Sequence, residues 1–359
     1  MESPICNMLK YIALRRRIKK FDAEHRSMTP PKVDLTAEQR EEVDKLYKQY
    51  CKIRYSSHSF YTAVSGVFSK YYIPNSIFRC IIDPYYNDWK MAYYLDNKCY
   101  YPKMFPGVML PKRIGYKLGN FWYDSAGHLV DFNEIIEKVL NTNECFVKVA
   151  VNSWGGDGVF YFNSELGREK LVNIINGIHH DLVIEAAIKQ STFLEIINPS
   201  CINTIRVISM LKKNGEVKIY SAILRMGVGN AKVDNACSGG ISCGICENGR
   251  LKPVAYSSTY DGSKYVEKYT EHPSTHIQFS DVVIPNFLNI RNLITNIHPQ
   301  FPHFRLISWD IAIDSEDLPV LIEANLCDGG LDFHQLNNGP LFGEDTEEIL
   351  SEVFNNKIS

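Results

Sequence analysis

Apolar and polar positions change period several times along this chain, and the changes divide it. Tyr11, Leu14, Ile18 and Phe21 recur at helical spacing, with Arg15, Arg16, Arg17, Lys19 and Lys20 opposite, which predicts a basic amphipathic helix. Residues 27–32, with Pro30 and Pro31, read as a linker. Thr36 and Gln39 are spaced as a capping box ahead of a helix carrying Val43, Leu46, Tyr47 and Tyr50. Helical, tyrosine-rich sequence continues to about Tyr94. From Lys98 the pattern turns to short strands and helices. Strands are expected over 116–123 and 128–130 around an Asp124-Ser125-Ala126-Gly127 turn, then an amphipathic helix from Phe132 to Leu140 and a strand over 146–151. A helix over 171–179 precedes a strand over 182–185, which reads as a hinge between lobes. Long antiparallel strands are predicted over 204–211, 217–226 and 240–246, with a helix over 287–297. The pattern as a whole is α+β.

Two apolar runs close the series, Ser308-Trp309-Asp310-Ile311-Ala312-Ile313-Asp314 and Pro319-Val320-Leu321-Ile322-Glu323-Ala324-Asn325, around a polar Ser315-Glu316-Asp317-Leu318 break. If they pair symmetrically about that break, Asp310 falls opposite Glu323, and Asn325 lies two residues on along the same face. Facing residues have Cβ atoms roughly 5 Å apart, where two carboxylates repel. Losing one of them should therefore spare the fold. A hard divalent cation turns that penalty into a site, since Mg²⁺ takes a few carboxylate oxygens together with water or phosphate. Asp310, Glu323 and Asn325 are the candidate metal ligands. The bland alternative is a hairpin whose polar residues face solvent.

A second element lies upstream. The strand Phe146-Val147-Lys148-Val149-Ala150-Val151 carries one lysine and runs into Asn152-Ser153-Trp154-Gly155-Gly156-Asp157-Gly158-Val159. Glycines let backbone N–H groups converge on an oxyanion, and a nearby ammonium neutralises it. The spacing matches neither a P-loop nor a dinucleotide fingerprint, because Phe160-Tyr161-Phe162 continues as a strand.

The chain has 359 residues, enough for two or three lobes with their own cores, and its 12% aromatic content argues against disorder. A net charge of −2 gives no general attraction to nucleic acid. Ten scattered cysteines in a chain this size fit reduced thiols, and neither a signal peptide nor an 18-residue apolar run is evident, so a soluble cytoplasmic protein is expected. Cys243 and Cys246, with Cys237, invite a zinc reading, but a structural site needs a fourth ligand and no second pair is present; ordinary buried cysteines are expected. The basic helix could rest on an anionic membrane surface or on polysaccharide machinery; the alternative is that its apolar stripe packs on its own domain.

Strand lysine, glycine-rich loop and acidic hairpin together resemble the ATP-grasp superfamily, in its sugar-transfer-associated branch encoded among polysaccharide-building genes. The resemblance covers roughly residues 70–335. It includes Asp96-Asn97-Lys98, Phe105-Pro106-Gly107-Val108, Ile184-Glu185 with Gln190, Asn198-Pro199-Ser200, Asn203-Thr204-Ile205-Arg206, Asp234-Asn235, Gly239-Gly240 and His272-Pro273 in order. A departure lies at Val149-Ala150, where many relatives have proline after the strand lysine. The resemblance implies two small α+β lobes sandwiching ATP: a helical region 1–95, an N-terminal lobe 96–183 with the glycine-rich loop, and a C-terminal lobe 184–359 with the Mg²⁺ (or Mn²⁺) hairpin. It places Lys148 and Lys98 on the α- and β-phosphates, with Ser153, Gly155, Gly156 and Gly158 in the loop closing over them. The adenine edge meets Ala186, Ala187 and Ile188, and Glu185 and Gln190 take the exocyclic amine and ribose, with Glu195 a further ribose candidate. Arg206 and Arg225 touch the γ-phosphate and its acceptor, beside a loop carrying Asn235. The implied reaction is carboxylate activation through an acyl-phosphate, then amide formation with an amine. The family name suggests a uronic or similar sugar acid joined to an amino acid. Phosphoryl transfer to a sugar hydroxyl and a non-catalytic nucleotide-binding scaffold are the alternatives.

Overall fold

Thr36 opens the first labelled helix as its spacing predicts. Its hydroxyl accepts from the Gln39 N–H and the Gln39 side chain accepts from the Thr36 N–H, so α1 (Ala37–Tyr47) begins with two otherwise orphaned donors satisfied. The structure, a computed structural model, describes residues 16, 18 and 20 and the segments 32–151, 158–234, 239–257 and 266–355. Helices α2 (Ser56–Ser65) and α3 (Trp89–Leu95) flank a wide helical turn at Phe78–Ile82. Ile73, Phe78 and Ile81 of this region pack with Ile208, Met210 and Leu306, and with Leu350 and Val353 near the C terminus. Ile18 packs on the same core while Arg16 and Lys20 are exposed; the rest of the basic helix lies outside the described residues. Among the described residues no helix is long and apolar enough to cross a membrane.

The first sheet has the strand order β3-β2-β1-β6-β4-β5, formed by β1 (Arg113–Leu118), β2 (Phe121–Asp124), β3 (Leu129–Val130), β4 (Glu144–Val149), β5 (Val159–Asn163) and β6 (Leu182–Ala186). Helices α4 (Phe132–Leu140) and α5 (Gly167–Asn176) bury Ile135, Ile136, Val139, Leu171 and Ile175 against Val147, Phe162 and Ile184. Residues 116–123 do not form the single strand their alternation suggests. Leu118 pairs with Phe121 across a tight turn in which Gly119 takes φ +57°, a left-handed conformation that glycine adopts without a steric penalty.

The second sheet has the order β11-β10-β9-β8-β7-β12-β13, from β7 (Thr204–Leu211), β8 (Val217–Met226), β9 (Ile241–Ile245), β10 (Leu251–Ser257), β11 (Lys268–Tyr269), β12 (Leu306–Ile313) and β13 (Pro319–Asn325). On one face, α6 (Thr192–Ile197) and α7 (Phe287–Ile297) pack on Ile205, Val207, Leu224, Trp309 and Ile311. On the other face lies α8 (Leu331–Asn338), whose His334 and Asn337 side chains bond Ser221 and Ser242. The expected boundary between 183 and 184 falls inside β6, which belongs wholly to the first sheet. The chain crosses between sheets over 187–190, where Gln190 bridges to Asp314 and the Ser191 N–H donates to the Ile313 carbonyl.

Candidate active-site cleft

A cavity of about 870 Å³ lies between the sheets, walled by β4, β5 and the 186–190 crossing on one side and by β7, β8 and the β12–β13 hairpin on the other. The hairpin places Asp310 opposite Glu323 and Ser308 opposite Asn325, as symmetric pairing requires. A register shift between Asp310 and Ile311 leaves Ile322 as an extra residue, so the turn end is offset by one and symmetry holds only at the cleft end. The turn is closed by Asp314, whose carboxylate accepts the N–H groups of Glu316 and Leu318, with Asp317 at φ +58°.

The electrostatics of the hairpin differ from the bare repulsion inferred from strand pairing. Asp310 is buried and accepts two bonds from Arg206, Nε to Oδ1 and Nη2 to Oδ2, both at 2.6 Å. Arg206 reaches it because the two residues are register partners across β7 and β12. Arg225, from β8, adds a 3.3 Å contact to Asp310 and another to Asp234. Burial pushes the Asp310 carboxyl up, but Arg206 and then Arg225 hold it below the usual carboxylate range. Glu323 meets the Lys98 ammonium at 2.7 Å. Burial opposes the charge on Lys98, yet Glu323, the foremost attraction, keeps its pKa above the ordinary lysine value. The opposed carboxylates are thus each compensated by a cation from another element. Removing Asp310 would therefore take from Arg206 its bidentate partner and from Arg225 one of its carboxylates, so its loss is expected to cost stability.

Lys148 lies on β4, and the Lys98 N–H donates to the Ala150 carbonyl just past the end of that strand. The Lys148 ammonium contacts Glu185 at 2.8 Å across the β4–β6 pair, on the wall near the crossing. Ala186, Ala187, Ile188 and Glu195 line the same end of the cavity. The Ala186 N–H donates to the Lys112 carbonyl and the Ala187 N–H to the Glu144 carbonyl. Gln190 also lines the cavity, but its side chain is engaged with the protein. It donates to the Asn198 and Cys201 carbonyls and accepts from Asn203, so it shapes the 198–203 loop. Gly158 closes the β4–β5 hairpin at φ +80°. Ser153, Gly155, Gly156 and Asn235 lie outside the described residues.

Asp234 and Asp96 entered the sequence reading only as members of family motifs, without their contacts, and Arg79 did not enter it. Asp234 accepts from the Thr204 hydroxyl and N–H and braces Arg225 from the side away from Asp310. Arg79, from the helical region, reaches the cavity and pairs with Asp328, whose N–H also donates to the buried Asp83. Asp96 lines the cavity near Lys98 and Glu323. No periodicity could have announced these, because each depends on contacts between residues far apart in the chain. Among the described residues no three His, Cys, Asp or Glu side chains converge as a metal cage. Cys243 is an ordinary buried thiol, donating to the Lys252 carbonyl at 3.2 Å, and burial pushes its pKa up to about 12.

Over residues 81–349 the sequence matches the family described as sugar-transfer associated ATP-grasp. No curated protein matches it. Among solved structures with a similar chain path, the ADP complex of an N5-carboxyaminoimidazole ribonucleotide synthetase shares 10% identity at a TM-score of 0.39, over 66% of this chain and 46% of that one. A D-cycloserine synthetase shares 10% at 0.44, over 76% and 73%. The D-alanyl-alanine synthetase A of Vibrio cholerae O1 biovar eltor shares 15% at 0.40, over 73% and 65%. The chain spans less than two thirds of the length of the first and third.

Proposed function

This chain belongs to the sugar-transfer associated ATP-grasp family, and from that premise we propose that it is an ATP-dependent carboxylate–amine ligase. Its carboxylate is a sugar acid of the uronic type and its amine an amino acid or related amine. The product is an amide used in capsular or exopolysaccharide assembly, made in the cytoplasm. The exposed Arg16 and Lys20 would suit contact with an anionic surface of that machinery.

The observation that carries the reading is the alternation of charge along the cleft. Lys148 faces Glu185, Lys98 faces Glu323, and Arg206 and Arg225 share Asp310. A polyphosphate entering the cleft would take over these cations, and a metal would take over the hairpin carboxylates. Asp310, Glu323 and Asn325 offer two carboxylates and an amide, hard oxygen donors that suit Mg²⁺ or Mn²⁺ sharing its shell with phosphate. When bound, the ion supplies neutralisation of phosphate charge.

Lys148 and Lys98 hold the α- and β-phosphates under the loop of Ser153, Gly155, Gly156 and Gly158. Ala186, Ala187 and Ile188 meet the adenine edge with Glu185, while Gln190 secures the neighbouring loop. Arg206 and Arg225 draw the substrate carboxylate and the γ-phosphate together, beside the loop of Asn235. The carboxylate oxygen attacks phosphorus, the bond to ADP breaks, and an acyl-phosphate remains. The uncharged amine nitrogen then attacks the carbonyl carbon, the C–O bond to phosphate breaks, and the proton lost from nitrogen leaves with the phosphate. The protein's share is positioning and charge compensation.

Two measurements test this. Lys148→Ala is expected to weaken Mg·ATP binding by about 10- to 100-fold, the value of one charge-assisted contact, by isothermal titration. An unchanged affinity would move the phosphate site elsewhere. Enzyme, Mg·ATP, glucuronic or galacturonic acid and hydroxylamine, without amine, should yield a hydroxamate. Arg225→Lys should depress that yield more than it depresses ATP affinity, because lysine keeps the charge but loses the planar fork. A stable phosphorylated sugar with no hydroxamate would overturn the ligase reading in favour of phosphoryl transfer.

A further inference from the structure

A second groove, of about 600 Å³, adjoins the cleft and is lined by Asn198, Pro199, Ser200, Asn230, Lys232 and Ser274 among others. Pro199, Ser200 and Lys232 also line the cleft, so the two spaces share a wall. They meet near Arg225, because Asp234, which pairs with that arginine, follows Lys232 by two residues. Three loops build the groove, and each is tied to another. The loop after β8 packs on residues 198–201 so closely that a Cβ on Gly227 would lie 2.6 Å from the Cys201 sulfur. His272 Nε2 donates to the Gly227 carbonyl at 2.9 Å, and the Gly229 N–H donates to the Ser274 hydroxyl at 2.9 Å. The Thr275 hydroxyl donates to the Ile197 carbonyl at 2.7 Å. The groove is thus formed before any ligand enters, at a volume within the roughly 300–1,000 Å³ of small-molecule sites.

Its chemistry narrows the occupant. Among the described residues that line it there are hydroxyls, amides and one ammonium, with no carboxylate and no aromatic ring. Lys232 is exposed and lies over the Tyr161 ring at 5.3 Å, and among the described residues no carboxylate meets it. That sets it apart from Lys98, Lys148, Arg206 and Arg225, each paired with an acid. The Asn230 side chain is exposed as well. A nucleobase would need an aromatic or broad apolar face to stack on, and Pro199 alone does not supply one. A diphosphate is held by several cations or by converging N–H groups, where this groove has a single lysine. A sugar ring fits better. Its hydroxyls pair with serine and asparagine, which both donate and accept, and one carboxylate on the ring would meet Lys232.

We infer that this groove holds the sugar residue next to the one whose carboxylate is activated, so that the substrate is the end of an acidic sugar chain and not a free sugar acid. The inference rests on the ligase reading above and adds the form in which the sugar acid arrives.

Binding is measured first, by titrating the full chain with galacturonic acid, digalacturonic acid and UDP-galacturonic acid in turn. The disaccharide should bind at least about tenfold more tightly than the monosaccharide, the worth of one charge-assisted contact, and more tightly than the nucleotide sugar. Lys232→Ala and Asn230→Ala should each reduce that preference by about three- to tenfold. Both side chains are exposed, and the bonds that tie the three loops do not involve them. With Mg·ATP and hydroxylamine, hydroxamate formation should show the same preference in kcat/KM. Equal affinity for one sugar and two, or no binding of the disaccharide, would overturn the inference. So would a disaccharide preference that survives both substitutions, since the second sugar would then sit elsewhere. Tighter binding of UDP-galacturonic acid would replace the sugar chain with a nucleotide-linked substrate. If the disaccharide preference and its loss in the variants are found but no sugar yields a hydroxamate, the ligase reading fails alone and the groove's occupant stands.

Discussion

Asp310→Asn is expected to abolish turnover and to lower stability by about 3–5 kcal/mol, the usual cost of breaking a buried ion pair from one side. The variant keeps the shape of the side chain, so the loss is one of charge. Arg206, which donates both its Nε and Nη2 to Asp310, would keep its own charge in a buried setting with only the weaker attraction of Glu323 and Asp234 to balance it. Arg225 would retain Asp234 but lose its second partner. Glu323→Gln should disable turnover equally and cost less stability, about 1–2 kcal/mol, because Glu323 itself is nearer solvent than Asp310, although the Lys98 ammonium it meets is buried. The pH dependence has a definite sign. Arg206 overrides burial and holds Asp310 below the usual carboxylate range, so its stabilisation is full at neutral pH and is lost as pH falls through the depressed value. The stability gap between wild type and Asp310→Asn, measured by urea unfolding, should therefore shrink in strong acid. Near-wild-type turnover of either variant with Mg²⁺ would remove the hairpin from the chemistry.

How much of this could be read from the sequence depended on how local each cause was. Thr36 and Gln39 signal a capping box within four residues, and that box forms. The Asp310–Glu323 opposition follows from two strands and one turn, and it forms too, although the extra Ile322 is invisible to pattern because a bulge keeps the residues apolar. The Gly119 turn was hidden for a related reason: aromatic and apolar residues alternate straight through it, and only the backbone angle marks the reversal. The cations were legible as residues but not as partners. Arg206 meets Asp310 across 104 positions of sequence, and Lys98 meets Glu323 from the opposite side of the cleft. Both lysines line the one cleft, and each is paired with its own carboxylate. Arg79 reaches the site from a region whose apolar pattern speaks only of packing. Sequence periodicity reports which face is buried, whereas charge compensation is settled by the strand order of the second sheet.

That compensation makes the binding of metal and nucleotide interdependent, and the effect should be large. Mg²⁺ alone would add positive charge to a hairpin already balanced by Arg206, Arg225 and Lys98, so it should bind poorly. ATP with chelator present would draw those cations toward its phosphates and leave Asp310 and Glu323 uncompensated in a cleft, so it too should bind poorly. Arriving together, phosphates replace the carboxylates as partners of the cations, and the metal replaces the cations as partner of the carboxylates. A coupling of about 1–3 kcal/mol is expected, equivalent to about 5- to 150-fold in ATP affinity, and by linkage the same factor applies to the metal. Thermal shifts read this directly: Mg²⁺ alone and ATP with chelator should move Tm little, while Mg·ATP near 100 times its Kd should add about 2.7 kcal/mol of stability. Lys98→Met supplies the sharper sign. It leaves Glu323 without its ammonium, so Mg²⁺ alone should bind this variant more tightly than wild type even as Mg·ATP binds it less tightly. If the variant instead loses affinity for both, Lys98 does not compete with the metal for Glu323, and the exchange of partners is not how this cleft accepts its nucleotide.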